Sequence, residues 1–248
     1  MKVLFFKLNN KKNISQNKFI HVTCNIILCA IVFSVLALSF FSPVVINTSA
    51  NKFNAVYSGN KTKSNVSLMI NVYWGQEYLD QMLEVLNKNS VKATFFVGGS
   101  WVSKNTEDFL KIVESGHEIG NHGYNHKDHS KINSETQKNE ILLTEKIVNS
   151  LSGNKTNLFA PPSGSYNQTA LDIAGSLGYT TIMWSKDTID WRDKDSELVF
   201  SRATKNLANG DLILMHPTKH TASSLDRIIK TIKQSNFNLV TVSENLAV

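Results

Sequence analysis

Two histidines four residues apart, His122 and His126 in the segment HGYNH, carry the first candidate chemistry of this chain. Imidazoles at that spacing project to one side of a turn and can share a metal ion, although taken alone such a pair is more often solvated or packed. A third imidazole, His216, ends the apolar run LILMH. At the C-terminal end of a buried strand it is placed either for acid-base work or for a rim hydrogen bond. In DTIDWRD, Asp187, Asp190 and Asp193 crowd around Trp191, which reads as a polar site with an aromatic wall for a sugar face or as a solvated acidic loop. Pro161-Pro162 in FAPPSGSYN sets a rigid loop or an ordinary turn.

The elements that must position these residues alternate. Apolar runs at Val66–Tyr73, Val91–Val97, His117–Gly120, Tyr179–Trp184, Leu212–Met215 and Leu239–Val242 read as strands. Between them, helical spacing of apolar residues runs over Glu77–Asn89, around Phe109 to Val113, over Ala170–Leu177, Leu198–Leu207 and Leu225–Gln234, with Gly116 and Gly178 as stops. Ser134 with Gln137 has the spacing of a capping box for a helix reaching Leu151. Such alternation predicts an α/β fold, a parallel sheet with helices outside, and a count near seven strands suits a closed barrel. The polar motifs fall at strand ends, where barrels gather their chemistry.

The order HGYNH, APPSG, DTIDWRD, LILMH is preceded or followed by the connecting segments VKATFFVGG, SGHEIGNH and FNLVTVSENL. In that order the chain resembles the NodB-homology polysaccharide deacetylases from Ser67 to Leu246, and within them the membrane-anchored deacetylase-like proteins of spore-forming bacteria. The resemblance implies a distorted (β/α) barrel and a metal-dependent removal of N- or O-acetyl groups from glycans. It implies that His122 and His126 hold the metal, commonly zinc, that His216 is the general acid, and that Asp193 orients it. Trp191 and Leu214 match the groove that encloses the acetyl group.

The chain departs from the family in two motifs. The first motif of the family ends in Asp-Asp-Gly, which supplies a base and a metal carboxylate; the matching stretch here is Asn71-Val72-Tyr73-Trp74-Gly75, with Tyr73 at the base and Trp74 at the metal ligand. The Arg that holds the base is replaced by Ala160, and Ser163 stands where an aromatic is usual. Asp128 and His129 are the nearest substitutes for a third ligand. Zinc hydrolases use three protein ligands and a water, and loss of a general base costs about 10²–10⁴ in rate. The expectation is a divalent metal held weakly or absent. Three readings follow: a deacetylase with a rearranged site, a glycan-binding pseudoenzyme, or a structural partner at the membrane. The implied ligand is acetylated cell-wall polysaccharide.

Of the net charge of +6, five units belong to Lys2, Lys7, Lys11, Lys12 and Lys18, with no acid before Asn51, so the remainder is near neutral and has no footprint for nucleic acid. The lysines precede an uncharged stretch, residues 19–47, whose apolar centre is long enough to span a bilayer. Domain expectations are a basic cytoplasmic tail (1–18), a transmembrane anchor (19–47), a linker (48–65) and a deacetylase-like domain outside the membrane (66–248). A signal peptide cleaved near Ala50, releasing the domain, is the alternative. Both cysteines, Cys24 and Cys29, lie in the apolar stretch, so the domain has no disulfide.

Overall fold

The computed structural model describes residues 9–41 and 53–247, in two compact units divided near Asn51. In the first unit, α1 (Asn9–Phe41) is a single helix of 33 residues, polar in sequence up to Lys18 and uncharged beyond it. Its side chains are described for residues 18–34, all exposed. No helix among the described residues is long and apolar enough to cross a membrane. The anchor expected at 19–47 coincides with α1 as far as Phe41; residues 42–47, the cleavage point near Ala50 and residues 1–8 of the basic tail lie outside the described residues.

The second unit alternates as expected: β1 (Asn65–Val72), α2 (Leu79–Lys88), β2 (Thr94–Val97), α3 (Gly99–Lys104), α4 (Thr106–Glu114), β3 (Glu118–Asn121), α5 (Ser134–Ser152), β4 (Leu158–Phe159), α6 (Gln168–Ser176) and β5 (Thr180–Thr181). It continues with β6 (Lys186–Asp187), α7 (Ser196–Thr204), β7 (Asp211–Met215), α8 (Lys219–Gln234), β8 (Asn238–Leu239) and α9 (Val242–Leu246). Every pairing is parallel, in the order β5-β4-β3-β2-β1-β7-β6, with β8 beside the start of β1. The pleat sorts the two faces of β1. Val66, Leu68, Ile70 and Val72 pack against the helices, while Met69 joins Phe96, Leu158, Ile182 and Leu212 inside the curl. That alternation leaves Asn71 facing inward at the strand's C-terminal end.

Four expectations change. The sheet is a curled half-barrel, not a closed one: among the described residues no ladder joins β5 to β6. The backbone between them is used elsewhere, since Met183 N–H bonds Val56 O and Ser185 N–H bonds Leu212 O. The domain begins well before residue 66. Val56 bridges Ile182, Phe53 lies on Gly175, and Gly59 N–H bonds Gly210 O, so the latter part of the expected linker is packed structure. Helix α5 is capped by Asn133, whose side chain accepts from Thr136 N–H, while the Gln137 side chain donates to the His129 carbonyl; the capping box instead sits at α9, between Thr241 and Glu244. The tail after β8 is thus a capped helix, and the buried side chain of Asn245 on it donates to Ser67.

Candidate functional site

A cleft of about 410 Å³ opens at the C-terminal ends of the strands, and its walls include His122, His126, Trp191, Leu214 and His216. Five of the six site residues expected from sequence therefore meet in one place. The sixth does not. Asp193 lies outside the cleft lining and pairs with Arg192 and Arg202 at 2.9 and 2.6 Å, and these hold its carboxyl well below the usual carboxylate range. The carboxylate on His216 is Asp190, fully buried: its Oδ1 is 2.8 Å from His216 Nδ1, and its Oδ2 accepts from His216 N–H and from Thr221 Oγ1. The backbone explains the switch. Ile189 adopts φ +52, uncommon for a β-branched residue, and from there Asp190 turns inward and Trp191 stays 54% exposed.

His122 follows β3 and is buried, with Nδ1 2.7 Å from Ala160 O. A carbonyl only accepts, so Nδ1 carries the proton and Nε2 is left bare. Burial, reinforced by the ring of His126, pushes His122 down to about 3. His126 sits at φ +54, its ring 5.1 Å from that of His122 at a steep 72°, and burial lowers its pKa too. The turn is held from behind by buried Glu140, whose Oε2 accepts from Asn125 N–H at 2.6 Å.

These two imidazoles are not joined by a third ligand of the kind a zinc hydrolase uses. Among the described residues no three His, Cys, Asp or Glu side chains gather as one would require. Both suggested substitutes point elsewhere. Asp128 accepts from the hydroxyls of Ser165 and Ser130 and pairs with Lys131, which keep it well below the ordinary carboxylate range. His129 is fully buried against Phe159, its pKa pushed down by burial to about 4. Instead of carboxylates, the first motif brings two rings. Tyr73 lies 4.8 Å from the His126 ring, in space opened by Gly98, where a Cβ would stand 2.5 Å from the Tyr73 ring. Trp74 stacks on His216 at 5.7 Å and 8°.

Sequence reasoning missed Asn71, Gly164 and Trp184 as lining residues; of the three acids it set beside Trp191, Asp187 lines the cleft, as does Ser163. Trp184 closes the run YTTIMW, and a strand-end aromatic in a barrel was the available signal. Gly164 at φ +64 has no such signal; it is needed because a Cβ would meet the Trp184 ring at 2.6 Å.

Comparison with known proteins places this arrangement. The family model for polysaccharide deacetylase matches residues 58–182. YlxY of Bacillus subtilis, described as uncharacterized, is 44% identical over 189 residues, which is 76% of this chain and 59% of YlxY, so the chain spans under two thirds of that relative. A peptidoglycan-N-acetylglucosamine deacetylase of Bacillus cereus is 31% identical over 196 residues, 77% of this chain and 71% of the enzyme. The crystal structure of a family 4 carbohydrate-esterase pseudoenzyme from Bacillus anthracis is similar at TM-score 0.76 and 36% identity, over 78% of this chain and 69% of that one, and a mutant of it is described as having restored enzymatic activity. With its half-barrel, its strand-end cleft and its ordered motifs, the chain belongs to the polysaccharide deacetylase family.

Proposed function

We propose that this protein binds acetylated cell-wall glycan in its cleft, as a deacetylase-like protein of the cell envelope that does not hydrolyse the glycan by the family's metal-dependent route. The observation that carries the reading is the replacement of base and metal carboxylate by Tyr73 and Trp74, whose rings lie on His126 and His216. The glycan is supported by the peptidoglycan named for the Bacillus cereus relative and by the aromatic wall of Trp74, Trp184 and Trp191. The test is metal analysis of the full-length protein in detergent, with acetate release and retention on peptidoglycan and N-acetylglucosamine oligomers. The expected result is retention, less than one metal per chain, and no acetate above a buffer control. A tightly held stoichiometric metal with chelator-sensitive acetate release overturns it.

One observation favours a second reading, hydrolysis of N- or O-acetyl groups by a rearranged site: the His216–Asp190 pair is complete. Its signature is acetate release that His216→Ala abolishes while glycan retention persists.

The envelope location rests on the N-terminal segment. We propose that the uncharged stretch 19–47, which α1 covers as far as Phe41 and which follows Lys2, Lys7, Lys11, Lys12 and Lys18, anchors the chain with the domain outside. Protease added to intact wall-stripped cells should then digest the domain. Protection until lysis refutes the orientation, and free domain in the medium beginning near Asn51 favours a cleaved signal.

A further inference from the structure

We infer that the strand end which carries base and metal ligand in related enzymes has here become a metal-free anchor for a pyranose ring, made of the Trp74 indole and the Asn71 carboxamide. The inference rests on the cleft's being a glycan site, and it names the residues and the contact that would hold the sugar.

Trp74 lines the cleft, yet it is 43% exposed. One face of its indole lies flat on the His216 imidazole. That imidazole is fixed by Asp190, which bonds both its ring and its backbone. The loop behind the indole is fixed as well: Gly75 has φ +82, and a Cβ there would come within 2.2 Å of Pro217 O. The open face of Trp74 is therefore ordered before any ligand arrives, which removes part of the usual entropy cost of binding. A rigid aromatic face with a wet edge suits the C–H face of a sugar ring, with its hydroxyls left to the polar rim.

Asn71 supplies a second, independent observation. It lines the same cleft and is only 4% exposed, and no group among the described residues donates to its Oδ1. Buried carboxamide oxygens are ordinarily paired, so this shielded orphan is satisfied when the carboxamide turns its oxygen into the cleft toward a donor carried by the ligand. A sugar hydroxyl or an acetamido N–H has the required chemistry. Among the described residues no group of three His, Cys, Asp or Glu side chains stands beside Asn71 to hold a metal ion in its place.

The experiment is calorimetric titration of the full-length protein in detergent with an N-acetylglucosamine hexamer, with and without EDTA. Binding should be unchanged by EDTA. Trp74→Ala should weaken it about tenfold, as truncation of a central aromatic contact does, and Trp74→Phe should retain most of the affinity. Asn71→Leu should weaken binding several-fold while the melting temperature of the unliganded protein holds or rises, because the orphan acceptor is gone. If the parent binds and Trp191→Ala weakens binding while Trp74→Ala and Asn71→Leu do not, the anchor is refuted and the glycan cleft stands. Binding abolished by EDTA also refutes the anchor. A parent that binds no acetylated glycan removes the cleft reading itself, and the anchor with it.

Discussion

The two sides of the cleft are held in different ways. On the β7 side, Asp190 ties the loop before α7 to the backbone of His216 and to Thr221 in the first turn of α8, all through one buried carboxylate. On the β1 and β3 side, Tyr73 meets His126 and His126 meets His122 through ring contacts, and the buried carboxylate there, Glu140, bonds the backbone of Asn125 instead of an imidazole. The difference separates two reasons for keeping a residue. Asp190 would be retained by packing alone, because its removal leaves a buried N–H and a hydroxyl without an acceptor. Tyr73 and Trp74 stand at the matching first-motif positions, where their rings pack on His126 and His216 and leave the fold intact. Survival of the acid side is thus weak evidence of catalysis, and loss of the other side is strong evidence against the family's own chemistry.

The largest expected effect comes from rebuilding the lost side. Tyr73→Asp, Trp74→Asp and Ala160→Arg together should produce zinc-dependent acetate release from N-acetylglucosamine oligomers at least about 10²-fold above the parent, the low end of what a general base contributes. Without Ala160→Arg the gain should be smaller, because a carboxylate at position 73 then lacks its cation. Adding His216→Ala should abolish the activity. A folded, metal-loaded triple variant with no acetate release would mean that the divergence reaches the β7 side as well.

The second prediction separates two neighbouring carboxylates. Asp190→Ala strips the buried joint and should cost about 3 kcal/mol in chemical denaturation. Asp193→Ala removes ion pairs that are part-buried but still open to solvent on the Arg192 side, and should cost about 1 kcal/mol. Equal losses would show that the β7 side is not organised around Asp190.

That pair also marks the limit of the sequence. The alternation of the fold was legible, because strands and helices write their periods into apolar spacing, and the convergence of His122, His126, Leu214 and His216 followed from motif order. What decides between Asp187, Asp190 and Asp193 is the left-handed backbone of Ile189, and no local preference announces φ +52 at isoleucine. Openness of the barrel was equally hidden: β4, β5 and β6 are two-residue ladders, too short to fix closure by pattern, and the gap is set by Val56 in a stretch whose composition reads as linker. Asn133 and Ser134 are both good N-caps, and only the bond from Thr136 N–H chooses between them.

The smallest expected effect concerns acid. The imidazoles of the rewritten side have no carboxylate bonded to the ring, and burial depresses them, His122 to about 3 and His129 to about 4. Unfolded histidine titrates near 6.5. Between pH 6.5 and 4 the unfolded chain therefore binds protons that the folded chain refuses, so stability is full above about 6.5 and falls as pH drops through this window. His129 is the clean probe, since it lies off the cleft and its ring nitrogens have no partner among the described residues. His129→Phe, or the less bulky His129→Leu, should leave stability at pH 7.5 within about 1 kcal/mol of the parent, because an unpaired buried ring is exchanged for an apolar group against Phe159. At pH 4.5 the same variants should exceed the parent by roughly 2 kcal/mol, read from urea midpoints at the two pH values. Parallel acid losses in parent and variant would assign the sensitivity elsewhere, with the buried rings of His117 and His122 next in line. Then the contrast between a carboxylate-held side and a ring-packed side would no longer account for the response to pH.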